Sequence, residues 1–276
     1  MNITKKQNSQ FNIIVTRYYY ERLLYRLSLS DYRDKFYLKG GTLLYVTQKN
    51  LARPTLDIDF LGVKIKNDLL HIKDVFTEVC SINPDTADGV EFDIDSITTE
   101  TITEGKDYSG VRVSLNVKLD TMRQRMKIDI GFGDTIVPSE VELLYPTLIE
   151  DDQTISIIAY SLESVVAEKF HAMIDLASIN SRYKDFYDIY TILLYNDIDM
   201  QSLTQAILST FQTRHSLYVE NHIIFTEQFV NDGTRQTHWS KFLKNIDYKG
   251  DLPLNTVMGV IIENLKPIYE KTRGHE

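Results

Sequence analysis

Two aspartates separated by one residue, Asp57 and Asp59, are the first group in this sequence whose type and spacing suit a chemical reaction. Residues 55–61 alternate like a β-strand, which predicts that both carboxylates lie on one face of that strand. The opposite face is apolar and consists of Leu56, Ile58 and Phe60. Two carboxylates this close repel each other unless a cation lies between them. Mg²⁺ prefers such oxygen ligands together with phosphates, and two ions about 3.5–4 Å apart can hold the attacking and leaving oxygens of a phosphoryl transfer.

The spacing alone is a weak signal, because a second pair, Asp93 and Asp95, has the same spacing in another alternating segment, residues 90–97. No glycine turn and helix precede this second pair. We therefore expect Asp93 and Asp95 to be ordinary solvated residues on the polar face of a strand.

The residues before Asp57 distinguish the first pair. Gly40 and Gly41 follow a strand candidate and precede Thr42, which can cap a helix. A bare glycine turn at a helix start presents free N–H groups and a positive dipole end, which together favour phosphate binding. The alternative is a glycine pair that only turns the chain, which is common. Its combination with Asp57 and Asp59 is much rarer.

A third carboxylate, Asp129, faces away from the apolar side of its own strand candidate, residues 127–130. If that strand neighbours the strand of Asp57 and Asp59, the three acids converge. Asp129 would then bind the second metal ion and help to remove the proton from an attacking hydroxyl. The alternative is an exposed strand acid without a role in chemistry.

These motifs resemble those of one known family. Lys39-Gly-Gly-Thr42, Arg53-Pro-Thr-Leu-Asp57-Ile-Asp59 and Lys127-Ile-Asp129-Ile are similar to motifs of the AbiEii/AbiGii-type nucleotidyltransferase toxins, in the DNA polymerase β-like nucleotidyltransferase superfamily. The resemblance implies that Gly40, Gly41, Thr42 and Arg53 bind the nucleotide, and that Mg²⁺ or Mn²⁺ is the cofactor. Fourteen residues separate Thr42 from Asp57, which is long for the superfamily but similar to these toxins.

A lysine lies where an apolar residue is expected. In the helix predicted from Ser161, Lys169 falls in the middle of the apolar arc that contains Val165, Val166 and Met173. Such a lysine either extends to the edge of the arc or meets a negative partner. In an enzyme that binds a triphosphate, the phosphates can be that partner.

The next predicted helix, from about Tyr183, places Asp185 beside Ile189 and Ile192, with Asp188 on the flank of that arc. An acid on a packed face needs a partner, and Lys169 or Arg182 would serve. The family resemblance extends here, and it implies that a lysine and a downstream aspartate are required for function. Asp185 is favoured over Asp188 for that role, although both can also be structural.

The elements that must position these residues follow from the sequence pattern. Residues 10–29 have the spacing of a helix packed on one side, residues 36–39 form a strand, and a helix follows the glycine turn. Residues 90–130 are mostly strands, including a hairpin that turns at residues 121–125. From Ser161 onward the pattern is helical. We predict an α/β (α+β) fold, in which a nucleotidyltransferase domain (residues 1–150) has a mixed sheet with flanking helices. A mostly helical domain (residues 151–276) closes over the nucleotide.

Composition excludes several classes of protein. Cys80 is the only cysteine, so neither an internal disulfide nor a cysteine zinc cluster can form, and no apolar run is long enough for a membrane span. The start of the chain lacks the apolar segment of a signal peptide, so a cytoplasmic protein is expected. The net charge of −9 counts against simple electrostatic binding of nucleic acid. Residues 111–127, however, hold five basic residues and one acid, so they form either a local basic surface or a solvated hairpin.

The sequence thus predicts transfer of a nucleoside monophosphate from a nucleoside triphosphate to an acceptor hydroxyl, with release of pyrophosphate. Lys169 would neutralise the triphosphate, and Asp185 would position that lysine. The resemblance implies the toxin of a toxin–antitoxin or phage-defence pair that modifies RNA such as tRNA and has a cognate antitoxin. Two alternatives stay open. One is a small-molecule nucleotidyltransferase of the antibiotic-modifying type, which the acidic net charge favours. The other is a catalytically silent nucleotide- or protein-binding module.

Overall fold

The computed structural model of the chain describes residues 11–48, 51–85, 87–104, 108–149 and 154–274. Seven strands run in the order β1 (Phe36–Lys39), β2 (Ile58–Gly62), β3 (Val90–Glu104), β4 (Tyr108–Leu119), β5 (Met122–Phe132), β6 (Val141–Tyr145) and β7 (Ile155–Ala159). Helix α1 (Phe11–Leu29) precedes the strands, whereas α2 (Gly40–Gln48) and α3 (Leu69–Ser81) lie among them. Six follow: α4 (Leu162–Leu176), α5 (Tyr183–Tyr195), α6 (Met200–Thr213), α7 (Glu227–Val230), α8 (Gly233–Asn245) and α9 (Leu254–Lys271).

The strands form one mixed sheet in the order β3-β4-β5-β2-β1-β7-β6. The pairs β2–β5 and β1–β7 are parallel, whereas the other neighbours are antiparallel. The predicted mixed sheet with flanking helices is confirmed. Because β2 lies between β1 and β5, the segment after the glycine turn and the segment that contains Asp129 become neighbours although they are distant in the chain.

One face of the long strands forms the core. Alternate residues of β4 and β5 are fully buried, with Val113, Leu115, Met126, Ile128 and Ile130 among them. Helix α3 packs against β3 and β4, and α1 packs against β7 and α3. Since strand residues alternate between faces, the residues between these core positions lie on the opposite face, which is polar.

The β4–β5 hairpin turns earlier than the sequence pattern predicts. Only Asp120 and Thr121 separate the two strands, so the expectation of a turn over residues 121–125 is wrong. Asp120 has a positive φ of 53°, which aspartate tolerates better than most residues. Residues 122–125 therefore continue strand β5 and take defined partners on β4.

Helix α1 begins and ends close to its predicted limits, but it is not packed on one side only. Nearly all of its second half is buried, including Glu21, Arg22 and Arg26. Buried charges are tolerated when they are paired, and Glu21 pairs with Arg22 while Arg26 lies 2.7 Å from Asp88. Arg22 and Arg26 are thus internal, although a helix packed on one side would leave such residues in solvent.

The described residues fall into two compact units. The first lies within Met1–Lys49, Arg53–Asp134 and Glu140–Tyr160, and the second within Asn50–Ala52, Thr135–Ser139 and Ser161–Glu276. The second unit is helical, as the pattern after Ser161 predicts, and Ser161 caps α4 through the Ser164 amide. The domain boundary expected near residue 150 lies outside the described residues. In the described part of the chain, no helix has the length and apolar character that crossing a membrane requires.

Candidate active site

Five charged residues form one row across the polar face of the sheet, and we call them the charged row. Asp59 on β2 pairs in register with Asp129 on β5 and with Lys39 on β1. Asp129 pairs with Arg112 on β4, which pairs with Glu100 on β3. In-register partners on neighbouring strands project to the same face. The sheet therefore brings Asp59 and Asp129 together, as the sequence predicts.

Asp57 does not lie inside the strand, in contrast to the prediction of a strand over residues 55–61. Strand β2 begins at Ile58, and Leu56 is 55% exposed, so the apolar face does not extend to Leu56. The backbone carbonyl of Asp57 accepts hydrogen bonds from the Thr42 hydroxyl at 3.1 Å and from the Thr55 hydroxyl at 3.4 Å. These side chains replace the strand pairing that fixes Asp59, and they leave the Asp57 carboxylate exposed at the strand entrance.

The glycine turn contacts the second aspartate of the pair directly. Gly40 has a φ of +67°, and a Cβ atom added there would lie 2.0 Å from Oδ2 of Asp59. Only glycine satisfies both the left-handed backbone and this close approach. Helix α2 starts at Gly40 itself, so the expected role of Thr42 as helix cap is wrong. Thr42 is a buried first-turn residue whose hydroxyl holds Asp57.

Arg53 lies on the other side of the same turn. A Cβ atom added to Gly41 would lie 2.9 Å from the Thr55 side chain and 3.4 Å from a guanidinium nitrogen of Arg53. The structure thus groups Gly40, Gly41, Thr42 and Arg53 beside the aspartates. The other two residues predicted to bind the nucleotide, Lys169 and Asp188, belong to the second unit.

Tyr20 of α1 lies within electrostatic range of all three carboxylates. Its hydroxyl donates a hydrogen bond to the backbone carbonyl of Leu56. Burial raises the pKa of Tyr20 far above its ordinary value, and the negative charges of Asp57, Asp59 and Asp129 raise this pKa further. The three acids therefore act electrostatically on one point, and Tyr20 stays a neutral donor that helps to fix the loop before Asp57.

Asp129 is engaged by a residue that the sequence analysis did not single out. Both oxygens of its carboxylate accept hydrogen bonds from Arg112, at 2.7 Å from Nε and 2.7 Å from a terminal nitrogen. Asp129 and Glu100 raise the pKa of Arg112, with the hydrogen bond to Asp129 as the largest cause. Bidentate pairs of this kind are the strongest hydrogen-bonded ion pairs, so Asp129 has a firm partner.

The donor set suits a hard divalent ion only in part. Asp57 and Asp59 offer carboxylate oxygens of the kind that Mg²⁺ prefers. Within the described residues, however, no group of three His, Cys, Asp or Glu side chains is arranged to hold a metal ion together. Asp129 fits such a site only after it exchanges Arg112 for the ion.

Lys39, the first residue of the glycine motif, is a second site residue for which the sequence predicted no role. Its ammonium group lies 2.9 Å from Oδ2 of Asp134 and 4.9 Å from the centre of the Tyr160 ring. The Tyr160 hydroxyl donates to the same Asp134 oxygen at 3.4 Å. Lys39 therefore brings a fixed positive charge to the end of the charged row beside Asp59.

In the second unit, Lys169 meets the acids of the next helix, and we call Lys169, Asp185 and Asp188 the lysine cluster. The ammonium nitrogen lies 2.8 Å from Oδ1 of Asp185 and 2.9 Å from Oδ2 of Asp188. Both aspartates are buried, so Asp188, which was expected on the flank of the packed arc, is covered as fully as Asp185, and both contact the lysine.

Asp185 is charged in its buried position. Burial raises its pKa, but Lys169 and Arg182 outweigh that effect, and the pKa falls below its ordinary value of 3.8. Arg182 contributes through Nε, which lies 2.7 Å from Oδ2. A negative partner for Lys169 is thus present within the protein itself.

The second Asp-x-Asp pair behaves as expected. Asp93 and Asp95 are exposed on β3, and this edge strand has a register shift between Asp93 and Thr98. Among the described glycines, none lies against Asp93 or Asp95 in the way that Gly40 lies against Asp59.

The sequence of the chain matches one known family. The family model described as "Nucleotidyl transferase AbiEii toxin, Type IV TA system" matches residues 22–260. No curated protein matches the chain significantly.

Two crystal structures from Helicobacter pylori are similar in fold. One, of a protein described as a candidate nucleotidyltransferase, has 16% identity and a TM-score of 0.55, over 97% of this chain and 99% of that chain. The other, JHP933, has 16% identity and a TM-score of 0.55, over 96% of this chain and 95% of that chain. At this identity the likeness shows the fold alone.

Proposed function

The chain belongs to the AbiEii nucleotidyltransferase toxin family, and from this premise we propose that it transfers a nucleoside monophosphate from a nucleoside triphosphate to a hydroxyl of an RNA such as tRNA. The reaction is an enzymatic nucleotidyl transfer, and the toxin family implies an antitoxin partner. The metal requirement, the RNA acceptor, a role in phage defence and a cytoplasmic location are parts of the proposal. Family membership counts against a catalytically silent module.

One observation carries the site assignment. The Gly40 turn approaches Asp59 so closely that a single added carbon atom would lie 2.0 Å from its carboxylate oxygen. A phosphate bound at the backbone of this turn would therefore be next to the aspartate pair. A glycine turn with no role in binding would not need to lie so close to the second acid of the Asp-x-Asp pair.

The proposed roles follow from the contacts. Asp57 and Asp59 would hold Mg²⁺ or Mn²⁺, which when bound neutralises phosphate charge and activates oxygen nucleophiles. Gly40, Gly41 and Arg53 would bind phosphate, whereas Thr42 holds the Asp57 backbone. Asp129 would bind the second ion and help to remove the proton of the attacking hydroxyl, after Arg112 releases one or both of its oxygens.

Lys169 is proposed to bind triphosphate, as the family motif implies, with Asp185 and Asp188 as positioning residues. The two aspartates fix the ammonium group at 2.8 and 2.9 Å. A purely structural role for this cluster is the competing explanation. The two can be separated because a structural role alters unfolding, whereas a nucleotide role also alters the Kd for a nucleotide in the folded protein.

Nucleotide transfer is tested by incubating the purified chain with each labelled nucleoside triphosphate, Mg²⁺ or Mn²⁺, and either total RNA or a set of small hydroxyl compounds. We expect label on RNA, and we expect Asp57→Ala to abolish it. Label on a small molecule alone would support the antibiotic-type alternative. No transfer to any acceptor would contradict the proposed reaction, and transfer that survives Asp57→Ala would contradict the site.

The exchange of Arg112 for an ion has a test that does not depend on turnover. Arg112→Gln frees the Asp129 carboxylate, so Mn²⁺ should bind at least severalfold more tightly than to wild type, as measured by calorimetry. Lys118→Gln is the matched control, because Lys118 lies on the same strand but pairs with Glu91. Equal Mn²⁺ affinity in wild type and Arg112→Gln would exclude Asp129 as a metal ligand.

A further inference from the structure

The outer part of strand β5 carries three basic residues on the face of the charged row. Arg123, Arg125 and Lys127, which we call the basic strip, alternate along β5 and precede Asp129 at the same two-residue spacing. All three side chains are exposed. Successive members are about 6.7 Å apart along the strand, so the strip is a straight row of positive charge that leads to Asp129.

The charges of the strip are not compensated by carboxylates. Of the five basic residues between residues 111 and 127, Arg112 is paired with Asp129 and Lys118 with Glu91. Arg123 and Lys127 make no hydrogen bond or ion pair with any residue that the structure describes. On a chain of net charge −9, such a concentration of positive charge favours an anionic partner.

Arg125 is held differently, although it also lacks an acidic partner. Its guanidinium donates to the Thr98 hydroxyl at 2.8 Å and to the Asn116 side chain at 3.2 Å. It donates further to the backbone carbonyls of Ser114 and Ser96 at 3.4 and 3.5 Å. All four acceptors are neutral, so the group keeps its full charge in a fixed position over the sheet. A fixed guanidinium of this kind can contact phosphate and stack on a nucleobase.

The position of the strip limits what lies on it. Strand β5 pairs with β2 only from Ile128 onward. Along residues 122–127 the contacts on that side come from Thr16 and Tyr19 of α1, which reach Gln124 and Met122 rather than the residues of the strip. On the other side, beyond β4, β3 presents the exposed acid Asp93, which repels a polyanion, whereas Glu91 is paired with Lys118. A chain of phosphates would therefore follow β5 rather than cross the sheet.

We propose that the basic strip binds the phosphates of a single RNA strand and directs its reactive hydroxyl toward Asp129 and Asp59. This inference rests on the proposed function for the identity of the acceptor. The even spacing of the strip, its uncompensated charge and its continuity with the charged row support it. An acidic protein surface would not require evenly spaced charges in a row that leads to Asp129 and Asp59.

The proposal is tested by fluorescence anisotropy with a short fluorescein-labelled single-stranded RNA, without nucleotide or metal. The variant is Arg123→Glu with Lys127→Glu, since these side chains hold no other part of the protein. The control, Lys241→Glu with Lys244→Glu, changes two exposed lysines of α8 by the same charge. We expect the strip variant to lose at least about tenfold in RNA affinity and the control to lose less than about twofold.

The salt dependence provides a second measurement. Between about 50 and 200 mM salt, the slope of log K against log salt should become shallower by about 1.4 in the strip variant, which corresponds to two lost phosphate contacts on a single strand. Equal losses in the two variants, or no loss in either, would overturn the proposal.

Neither binding assay needs turnover, so a negative binding result can be distinguished from a failure of the proposed transfer reaction. RNA that binds through the strip but is never labelled would contradict RNA as the acceptor and leave the binding surface in place. Circular dichroism of each variant identifies a change that comes from misfolding, and Arg123→Gln with Lys127→Gln, which keeps the side-chain length, then repeats the comparison.

Discussion

The charged row on the sheet and the lysine cluster in the helical unit both hold aspartates beside basic residues, but they differ in exposure. Asp59 and Asp129 of the row are half-buried and the neighbouring Asp57 is exposed, whereas Asp185 and Asp188 are fully buried beside Lys169. When a fully buried charged residue loses its ion-pair partner, the free energy of unfolding falls by several kcal/mol, so such a pair rarely separates. A half-buried carboxylate can exchange partners, since water replaces part of what it loses. The row is therefore suited to chemistry, and the cluster is suited to holding one ammonium group in place.

Asp59→Asn should produce the largest effect. It removes one charged ion ligand, and several kcal/mol of transition-state stabilisation correspond to a loss of about a thousandfold or more in kcat/KM. The urea midpoint should stay nearly unchanged, because the side chain is half-buried. The measurement is single-turnover transfer of labelled nucleotide. Asp93→Asn is the matched control at the second Asp-x-Asp pair and should stay within about twofold of wild type. Similar losses in the two variants would remove the distinction between the pairs.

Lys169→Met should be the most destabilising change. It leaves Asp185 and Asp188 buried without their ammonium partner, which costs about 3–5 kcal/mol. Urea unfolding measures this loss. Lys184→Met, an exposed lysine on the same helix as the two acids, should change the free energy of unfolding by less than about 0.5 kcal/mol.

A double variant sharpens the interpretation of the lysine cluster. Adding Asp185→Asn to Lys169→Met removes one of the two negative charges that lose their ammonium partner and should restore part of the lost stability. If Lys169→Met alone lowers the free energy of unfolding by less than about 1 kcal/mol, the two buried aspartates do not depend on this lysine for their charge compensation.

Gly40→Ala should have an intermediate effect on activity. The added Cβ meets Asp59 and demands a left-handed backbone, so the acid must move, and we expect transfer to fall about ten- to a hundredfold with a cost of about 1–2 kcal/mol in stability. Gly259→Ala is the control, because nothing lies within 4 Å of its added Cβ and the helix should gain up to about 1 kcal/mol. Full activity of Gly40→Ala would mean that the turn does not position Asp59.

The smallest effect is expected in the pH dependence of stability. Because the pKa of Asp185 in the folded protein lies below its ordinary value of 3.8, the unfolded chain binds more protons in that range. The stabilisation from Asp185 is therefore present above about pH 4 and lost as the pH falls further. Urea midpoints measured between pH 3 and pH 5 should fall less steeply for Asp185→Asn than for wild type. Parallel curves would show that this carboxylate does not contribute.

Arg112 illustrates why part of the site could not be predicted from the sequence. In a two-stranded hairpin the turn fixes every cross-strand pair. The expected turn at residues 121–125 places Val117 opposite Asp129, whereas the observed turn at Asp120 and Thr121 places Arg112 there. The signal was present in the unbroken alternation of Met122, Gln124 and Met126, which continues strand β5 to the turn.

Short-range patterns in the sequence determined much of this protein. Residue types and spacings within a short stretch of chain are enough to identify the glycine turn, the Asp-x-Asp pair, the helix from Ser161 and the lysine at position 169 on an apolar helix face. The resemblance to the family follows from the motifs that contain these residues. Only the tertiary structure decided which residues became partners. The parallel pairing of β2 with β5 joins Asp59 to Asp129 across 70 residues, and Arg112 and Lys39 complete the row because strand register, not sequence distance, sets the neighbours. The tertiary structure likewise decided that Asp188 is buried as fully as Asp185, since the fraction of a helix that is covered depends on everything packed around it.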